Sequence, residues 1–188
     1  MEEELKQFFA RRTKRYITDK QRLESAVLIP IYQQDGEHYI VFIRRTVTVK
    51  VHKGQISFPG GTRDTGDKNL LETALREAEE EIGLRREDVT LLGEMDDEIT
   101  TTSNYIVTPF VASIPWPYRF TLNDEEVDKV INIPIKALLD KSCCKPDTEV
   151  LDGKKVASFT YQYGGTLIWG ATARILNKLL KIIEGVTD

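Results

Sequence analysis

The most constraining feature of this chain is a tight glycine turn, Pro59-Gly60-Gly61, that precedes a cluster of carboxylates. Residues 56–58 have the composition of a short strand that the turn ends. Apolar residues at helical spacing then predict a helix over residues 68–82, with Asp67 as its N-cap and Gly83 as its stop. Hard divalent cations prefer oxygen ligands. A glycine turn that leads into an acidic helix therefore predicts a divalent-metal site.

The glutamates of the predicted helix divide into two groups. At about 100° per residue, Glu80 and Glu81 lie within about 60° of Glu77, while the other glutamates point away. Like charges at these spacings destabilise a helix by a few tenths of a kcal/mol per pair unless something neutralises them. Arg76 offsets part of this repulsion, and a bound divalent cation would offset the rest. A solvated acidic face is the alternative explanation of the glutamate run taken alone.

Residues 76–84, Arg-Glu-Ala-Glu-Glu-Glu-Ile-Gly-Leu, resemble the second half of the Nudix box, G-x5-E-x7-R-E-U-x-E-E-x-G-U with U aliphatic. The first half departs from that pattern, because Asp67 replaces glutamate and eight residues rather than seven then lead to Arg76. The insertion lies before the helix, so the ligand face is retained. The resemblance implies Mg²⁺ or Mn²⁺ as cofactor, held by Glu77, Glu80 and Glu81, with the backbone carbonyl of Gly61 as a further ligand.

A basic segment lies directly upstream of the glycine turn. It contains Arg44, Arg45, Lys50 and Lys53 and no carboxylate. A basic hairpin edge and a phosphate-binding rim are both compatible with it. The spacing from residue 41 to residue 61 is similar to the pattern L-L-T-x-R-S-x3-R-x3-G-x3-F-P-G-G of coenzyme A pyrophosphatases, with Thr46 for serine and Lys50 for the second arginine. The resemblance implies that Arg44, Arg45 and Lys50 bind substrate phosphates.

Further matches to the coenzyme A pyrophosphatase subfamily lie downstream. Residues 102–111 are similar to its T-x-S and V-T-P segments, and residues 123–135 to its N-P-x-E-V and V-P-L segment. Residues 168–176, Ile-Trp-Gly-Ala-Thr-Ala-Arg-Ile-Leu, are similar to its I-W-G-x-T-A-x-I-L helix start. Together the matches cover residues 25–177, nearly the whole chain.

The resemblance implies hydrolysis of a diphosphate linkage. For coenzyme A (CoA), water would attack one phosphorus and give 4′-phosphopantetheine and adenosine 3′,5′-bisphosphate. The reaction needs a base for the proton of the water. Glu126 is the first candidate, since many relatives use a glutamate outside the box, and Glu80 is the second. A surface position in an acidic turn is the alternative for Glu126.

Two other functions are compatible with the sequence. The first is a Nudix pyrophosphatase for another small nucleotide, such as ADP-ribose, a dinucleotide or a nucleoside triphosphate. The second is a Nudix fold that binds a ligand without catalysis. The intact set of box glutamates speaks against the second, and the upstream basic pattern favours CoA over the first.

The order of predicted elements indicates an α/β protein of the α+β type, with a mixed β-sheet sandwiched between helices. Strands are predicted over residues 25–32, 39–43, 89–92, 105–112, 127–133 and 156–163, and a C-terminal helix over residues 171–183. Residues 1–23 form an N-terminal helical lead-in. The resemblance implies that residues 24–188 form a Nudix domain, so we expect one domain overall.

Charge and cysteine content limit the partners. The net charge of −4 argues against a long nucleic acid as ligand, since such domains carry a basic surface. The two cysteines, Cys143 and Cys144, are adjacent and cannot join distant parts of a fold, which is typical of a cytoplasmic protein. No apolar run is long enough to cross a membrane, and the N-terminal residues lack the pattern of a secretory signal. We expect a small nucleotide as partner, and a homodimer remains compatible with the sequence.

Overall fold

The computed structural model describes residues 1–46 and 54–187. Its first hairpin joins β1 (Leu23–Gln34) to β2 (Glu37–Arg45) through Asp35 and Gly36, which both have positive φ angles, of 51° and 81°. Such angles suit the two central residues of a tight hairpin turn. The elements in chain order are α1 (Glu2–Arg11), β1 (Leu23–Gln34), β2 (Glu37–Arg45), β3 (Ile56–Ser57), β4 (Gly60–Thr62), α2 (Leu70–Ile82), a 3₁₀ turn (Arg86–Asp88), β5 (Thr90–Glu94), β6 (Glu98–Ile99), β7 (Tyr105–Ser113), β8 (Val127–Pro134), α3 (Ile135–Leu139), β9 (Cys144–Leu151), β10 (Lys154–Tyr163), β11 (Thr166–Ile168) and α4 (Gly170–Thr187).

The main sheet is mixed. Its strands follow the order β3-β2-β1-β7-β5, with β1 and β7 parallel and the other pairs antiparallel. Strand β4 pairs with β1, β6 with β7, and β8 with β2. The pairing of β1 with β4 brings the glycine turn against the centre of the sheet, because Ala26 lies opposite Gly61 and Val27 opposite Gly60.

Helices cover both faces of this sheet. Leu28 of β1 packs in a cluster with Ala78 and Ile82 of α2, whereas its neighbour Ile29 packs in a cluster with α1 and α4. Successive strand residues point to opposite faces, so one strand supplies both cores. Leu28 and Ile29 are fully buried, and each stabilises the fold by about 1.5–3 kcal/mol. The predicted fold, a mixed sheet sandwiched between helices, is confirmed.

A second, three-stranded sheet, ordered β11-β10-β9, packs beside α4. Of its strands only β10 was predicted. Strand β9 contains Pro146 and Asp147 and is largely exposed, so it lacks the apolar alternation that marks a half-buried strand. Strand β11 has three residues, too few to show a period.

The N-terminal segment is held by the acidic residues that follow β5. The side-chain amine of Lys14 lies 2.7 Å from Oδ1 of Asp97, and the backbone N–H of Ile17 donates to Oδ2 of the same residue at 2.9 Å. Arg12 pairs with Asp96. These acidic side chains are therefore neutralised within the fold. No helix in the described ranges is both long enough and apolar enough to cross a membrane.

Candidate functional site

Helix α2 begins two residues later than predicted. It starts at Leu70, and the side chain of Asn69 caps it by accepting a hydrogen bond from the backbone N–H of Glu72 at 2.9 Å. The prediction of Asp67 as N-cap is therefore wrong. Asn69 followed three residues later by Glu72 is the spacing of a capping box, and this signal could have located the true start. The predicted stop at Gly83 is confirmed, with a φ of 65° that glycine adopts without strain.

Asp67 instead holds Arg76. Its Oδ1 accepts from Nε of Arg76 at 3.0 Å and its Oδ2 from Nη2 at 3.0 Å, while Thr73 donates to Oδ2 at 2.9 Å. Such two-point contacts between arginine and carboxylate are among the stronger hydrogen bonds in proteins. They hold the pKa of Asp67 well below its usual range. The longer loop before the helix thus still delivers a carboxylate to Arg76.

Arg76 also neutralises two of the predicted ligands. Its Nη1 lies 2.9 Å from Oε1 of Glu77 and 3.0 Å from Oε2 of Glu80. The side chain of Glu80 is 57% exposed, whereas that of Glu77 is 17% exposed. Burial raises the pKa of Glu77, and Arg76 opposes that rise. Arg76 therefore orients the side chains of these two glutamates on α2.

Glu81 is the most deeply buried carboxylate of the site, with 1% exposure. Its Oε2 accepts from the backbone N–H of Gly60 at 2.9 Å, and its Oε1 accepts from Nη1 of Arg45 at 3.0 Å. Burial raises the pKa of Glu81 to about 8, against the opposing effects of Gly60 and Arg45. Glu81 thus joins the helix to the glycine turn and to the end of β2.

Gly61 lies directly against Glu77. A Cβ atom built on Gly61 would be 2.4 Å from the carboxyl carbon of Glu77, much closer than real Cβ atoms approach other atoms. Glycine is needed here because of this close approach of a carboxylate to the backbone. The pairing of β4 with β1 fixes the backbone of the turn, so Glu77 and Gly61 are held side by side.

Glu126 lies across from α2, at the end of an acidic turn. Its Oε2 is 3.9 Å from Nη2 of Arg45, and its side chain is 45% exposed. The turn is attached to the helix, because the backbone N–H of Asn123 donates to the carbonyl of Glu81 at 3.0 Å and the N–H of Glu126 donates to the carbonyl of Asn123 at 2.9 Å. The negative charge of Glu126 contributes to raising the pKa values of Glu77 and Glu81.

The structure separates the predicted phosphate-binding cations. Arg45 reaches the carboxylates, but Arg44, its neighbour on β2, pairs with Asp128 of β8. Neighbouring strand residues face opposite sides of the sheet, which accounts for the difference. Lys50 and Lys53 lie outside the described residues.

The carboxylates fit a divalent cation by their chemistry. Within residues 1–46 and 54–187, no three Asp, Glu, His or Cys side chains converge as a preformed ligand group, and the glutamates contact Arg76 and Arg45 instead. The buried pair Glu77 and Glu81 nevertheless has raised pKa values, so Arg76 and Arg45 offset the burial of its ionised form only in part, and further compensation is needed. A bound cation would supply that compensation.

A cleft of about 240 Å³ opens beside the carboxylates. Arg45, Gly60 and Gly61 line it, and each of them lies next to Glu77 or Glu81. Its other walls come from residues distant in the sequence: Ser25, Ala26, Val27, Gln55, Ser57, Phe58, Thr62, Thr100, Thr101, Thr102, Ser103, Tyr105, Val107, Trp169, Gly170, Ala171, Thr172 and Ile175. The sequence matched residues 102–103 and 168–176 to the coenzyme A pyrophosphatase pattern but did not predict a shared cleft, because their proximity is a product of the tertiary fold.

Comparison with known proteins identifies the family to which this chain belongs. The NUDIX domain family matches residues 22–152, more than half of the chain. The chain therefore belongs to the Nudix family, whose hydrolases act on phosphorus anhydrides and generally use divalent metal ions. It is 33% identical over 168 residues to a Photorhabdus laumondii protein named "Uncharacterized Nudix hydrolase NudL", with 89% of this chain and 88% of that protein covered. A Yersinia pestis protein of the same name is 37% identical over 160 residues, with 85% and 79% covered.

Solved structures share the fold at low sequence identity. The Nudix hydrolase RenU of M. smegmatis superposes with a TM-score of 0.59 and 16% identity, with 87% of each chain covered. A C. elegans Ap4A hydrolase in a binary complex superposes with a TM-score of 0.52 and 16% identity, with 62% of this chain and 83% of that chain covered. At such identities the likeness shows the fold alone.

Proposed function

We propose that this protein hydrolyses the diphosphate linkage of CoA or its derivatives, giving 4′-phosphopantetheine and adenosine 3′,5′-bisphosphate. The observation that carries the proposal is the contact between Arg45 and Glu81. Arg45 is the arginine of the upstream pattern that resembles CoA pyrophosphatases, and Glu81 belongs to the box. Their contact supports one site made of both motifs.

The cofactor in this proposal is Mg²⁺ or Mn²⁺. Glu77, Glu80 and Glu81 would hold it, with the carbonyl of Gly61 as a further oxygen ligand. When bound, such a cation neutralises the non-bridging oxygens of a diphosphate and lowers the pKa of the attacking water. The close packing of Gly61 against Glu77 supports this ligand set, because it brings a carboxylate against the backbone of the glycine that would supply the carbonyl.

Arg45 has two roles in this proposal. In the structure its guanidinium compensates the charge of Glu81 and approaches Glu126. A planar guanidinium also matches the geometry of phosphate oxygens. We therefore assign Arg45 to the substrate phosphates in the loaded enzyme, where a cation takes over the compensation of Glu81. Lys50 and Arg44 remain candidates for further phosphate contacts.

Glu126 is the general base in this proposal, and Glu80 is the second candidate. The Glu126 carboxylate is partly exposed, so water can reach it, and it lies near the buried carboxylates. It would accept a proton from the water that attacks the phosphorus, while the anhydride bond breaks towards the other phosphate. Glu80 lies on the same face of α2 as Glu77, and its side chain is 57% exposed, so water can reach it as well.

A substrate panel tests the assignment. The full chain is assayed with Mg²⁺ and with Mn²⁺ against CoA, acetyl-CoA, ADP-ribose, diadenosine tetraphosphate and a nucleoside triphosphate, with products identified by mass spectrometry. We expect the kcat/KM for CoA or acetyl-CoA to exceed the others by at least roughly tenfold, equivalent to about 1.4 kcal/mol of transition-state stabilisation. Equal or faster cleavage of ADP-ribose would refute the CoA assignment, and binding without cleavage of any substrate would favour a ligand-binding module.

A further inference from the structure

The cleft beside the carboxylates is positioned to receive one half of a bound substrate. Gly60 and Arg45 contact Glu81 and also line the cleft. A diphosphate held at the carboxylates therefore has one of its two substituents directed into the cleft and the other directed away from it. The volume of about 240 Å³ lies below the range of roughly 300–1,000 Å³ that is typical of pockets for drug-sized ligands. The cleft suits a compact group better than a long flexible arm.

The lining combines an apolar floor with hydroxyl groups. Phe58, Val107 and Ile175 are buried residues that contribute to the floor. The loop of residues 100–103 contributes three threonines and a serine, and Thr172 of α4 adds a further hydroxyl. The hydroxyls of Thr100 and Thr101 already donate to the carbonyl of Ser103 and to Glu149. A flat apolar face with hydrogen-bonding edges is complementary to such a lining, and a nucleobase has both features.

Trp169 lies at the rim of this cleft and is 42% exposed. Among the described residues no aromatic ring stacks on it. The other tryptophan of the chain, Trp116, is stacked on Tyr32 with ring centroids 3.8 Å apart, and it is not part of the cleft lining. One indole is thus occupied by the protein core, while the other offers a planar surface at the mouth of a cleft.

We propose that Trp169 is the platform on which the adenine base of the substrate stacks, so that the cleft takes the nucleoside half and the pantetheine arm points away from it. This inference rests on the proposed function. Base–aromatic stacking tolerates rotation of the base and needs only a planar surface, which the indole supplies. A rigid base also loses less conformational freedom on binding than the flexible pantetheine arm would. Trp169 is thus a binding residue that selects the adenine-containing half.

Intrinsic fluorescence separates the two halves of the substrate without using activity. In the full-length Trp116→Phe variant, Trp169 is the sole tryptophan. In the Trp169→Phe variant, the sole tryptophan is Trp116. Each variant is titrated with adenosine 3′,5′-bisphosphate and, separately, with 4′-phosphopantetheine, with excitation at wavelengths that adenine does not absorb. We expect adenosine 3′,5′-bisphosphate to quench Trp116→Phe strongly and Trp169→Phe very little, and 4′-phosphopantetheine to quench neither. Quenching of Trp169 by 4′-phosphopantetheine alone, or by neither compound, overturns the proposal.

Steady-state kinetics give a second measure. Trp169→Ala is expected to raise the KM for CoA by roughly ten- to a hundredfold, the size of one base–aromatic stack, with kcat retained. Leu167→Ala is the matched control, because Leu167 is 49% exposed on the neighbouring strand and does not line the cleft. Trp169→Phe should restore part of the affinity. An unchanged KM in Trp169→Ala overturns the proposal even when CoA is a good substrate.

The two proposals fail differently. If adenosine 3′,5′-bisphosphate quenches Trp169 but the protein does not cleave CoA, the adenine site is supported and the CoA assignment is refuted. Cleavage of CoA without quenching by the adenine product supports the CoA assignment and refutes the adenine site.

Discussion

Arg45 donates from Nη1 to Oε1 of Glu81 at 3.0 Å, and this contact joins the end of β2 to the centre of the acidic helix. The side chain of Glu81 is 2% exposed and that of Arg45 is 19% exposed, so the pair is largely shielded from water. Separating such a pair by removing one partner leaves an uncompensated buried charge. If Glu81 holds a divalent cation, as we propose, the arginine and that cation would compete for the same carboxylate.

Glu81→Gln is expected to lower kcat/KM by at least roughly 100-fold, the upper end of the loss on removing partners of metal ligands, while the fold is retained. The amide keeps the size of the side chain and can still accept from Gly60. Activity at saturating Mg²⁺ and the circular dichroism spectrum provide the measurement. Glu79→Gln is the control, since Glu79 is exposed on the same helix and should retain activity. A Glu81→Gln protein with near wild-type turnover would exclude Glu81 as a metal ligand.

Arg45→Ala is expected to separate metal binding from substrate binding. Without the guanidinium, Glu81 has no competing cation, so the affinity for Mn²⁺ in the absence of substrate should increase, while the KM for the substrate should rise. Mn²⁺ titration by calorimetry and steady-state kinetics measure the two effects. Arg86→Ala serves as control because Arg86 pairs with Glu72 outside the site. Weaker Mn²⁺ binding in Arg45→Ala would show that Arg45 supports the ligand and does not compete for it.

Gly61→Ala is expected to impair metal binding with little loss of stability. The added methyl would lie 2.4 Å from the carboxyl carbon of Glu77, and that carboxyl group is the far end of a flexible side chain that can move. The helix should persist while the ligand is displaced. Mn²⁺ affinity and urea unfolding give the two readouts. Gly66→Ala is the matched control in the loop that follows β4, where a Cβ would meet only Asp64, at an ordinary 3.7 Å. A large loss of stability in Gly61→Ala would contradict this expectation.

The metal-free protein is expected to lose stability as the pH rises from about 4.5 to about 8, because these are the ordinary and the raised pKa of Glu81. Across that range the folded protein retains a proton that the unfolded chain has released, so its free energy of unfolding falls with pH and levels off above the raised value. The total effect is on the order of a few kcal/mol. Urea unfolding with a chelator present, for the wild type and Glu81→Gln, isolates this contribution as the difference between the two proteins. A difference that does not change with pH would refute it.

The sequence predicted the acidic helix well because a helical period determines which side chains share a face. Glu77 and Glu80 meet the same guanidinium, as that period requires. Other features depend on contacts between distant segments. Strand alternation puts Arg44 and Arg45 on opposite faces, but the partner of Arg44, Asp128, is brought beside it only by the pairing of β2 with β8. The cleft likewise needs the sheet, the loop of residues 100–103 and the start of α4 together, and no local pattern encodes that assembly.

The contact between Asp67 and Arg76 also bears on how such proteins are recognised from sequence. The loop before α2 is one residue longer than the family pattern, and its acidic residue has a shorter side chain, yet Asp67 still accepts from both Nε and Nη2 of Arg76. Arg76 thus constrains the position of the carboxylate group, while the number of residues between the carboxylate residue and Arg76 can vary. A search that fixes this spacing would overlook proteins with the same site, whereas one that fixes only the helical half would find them.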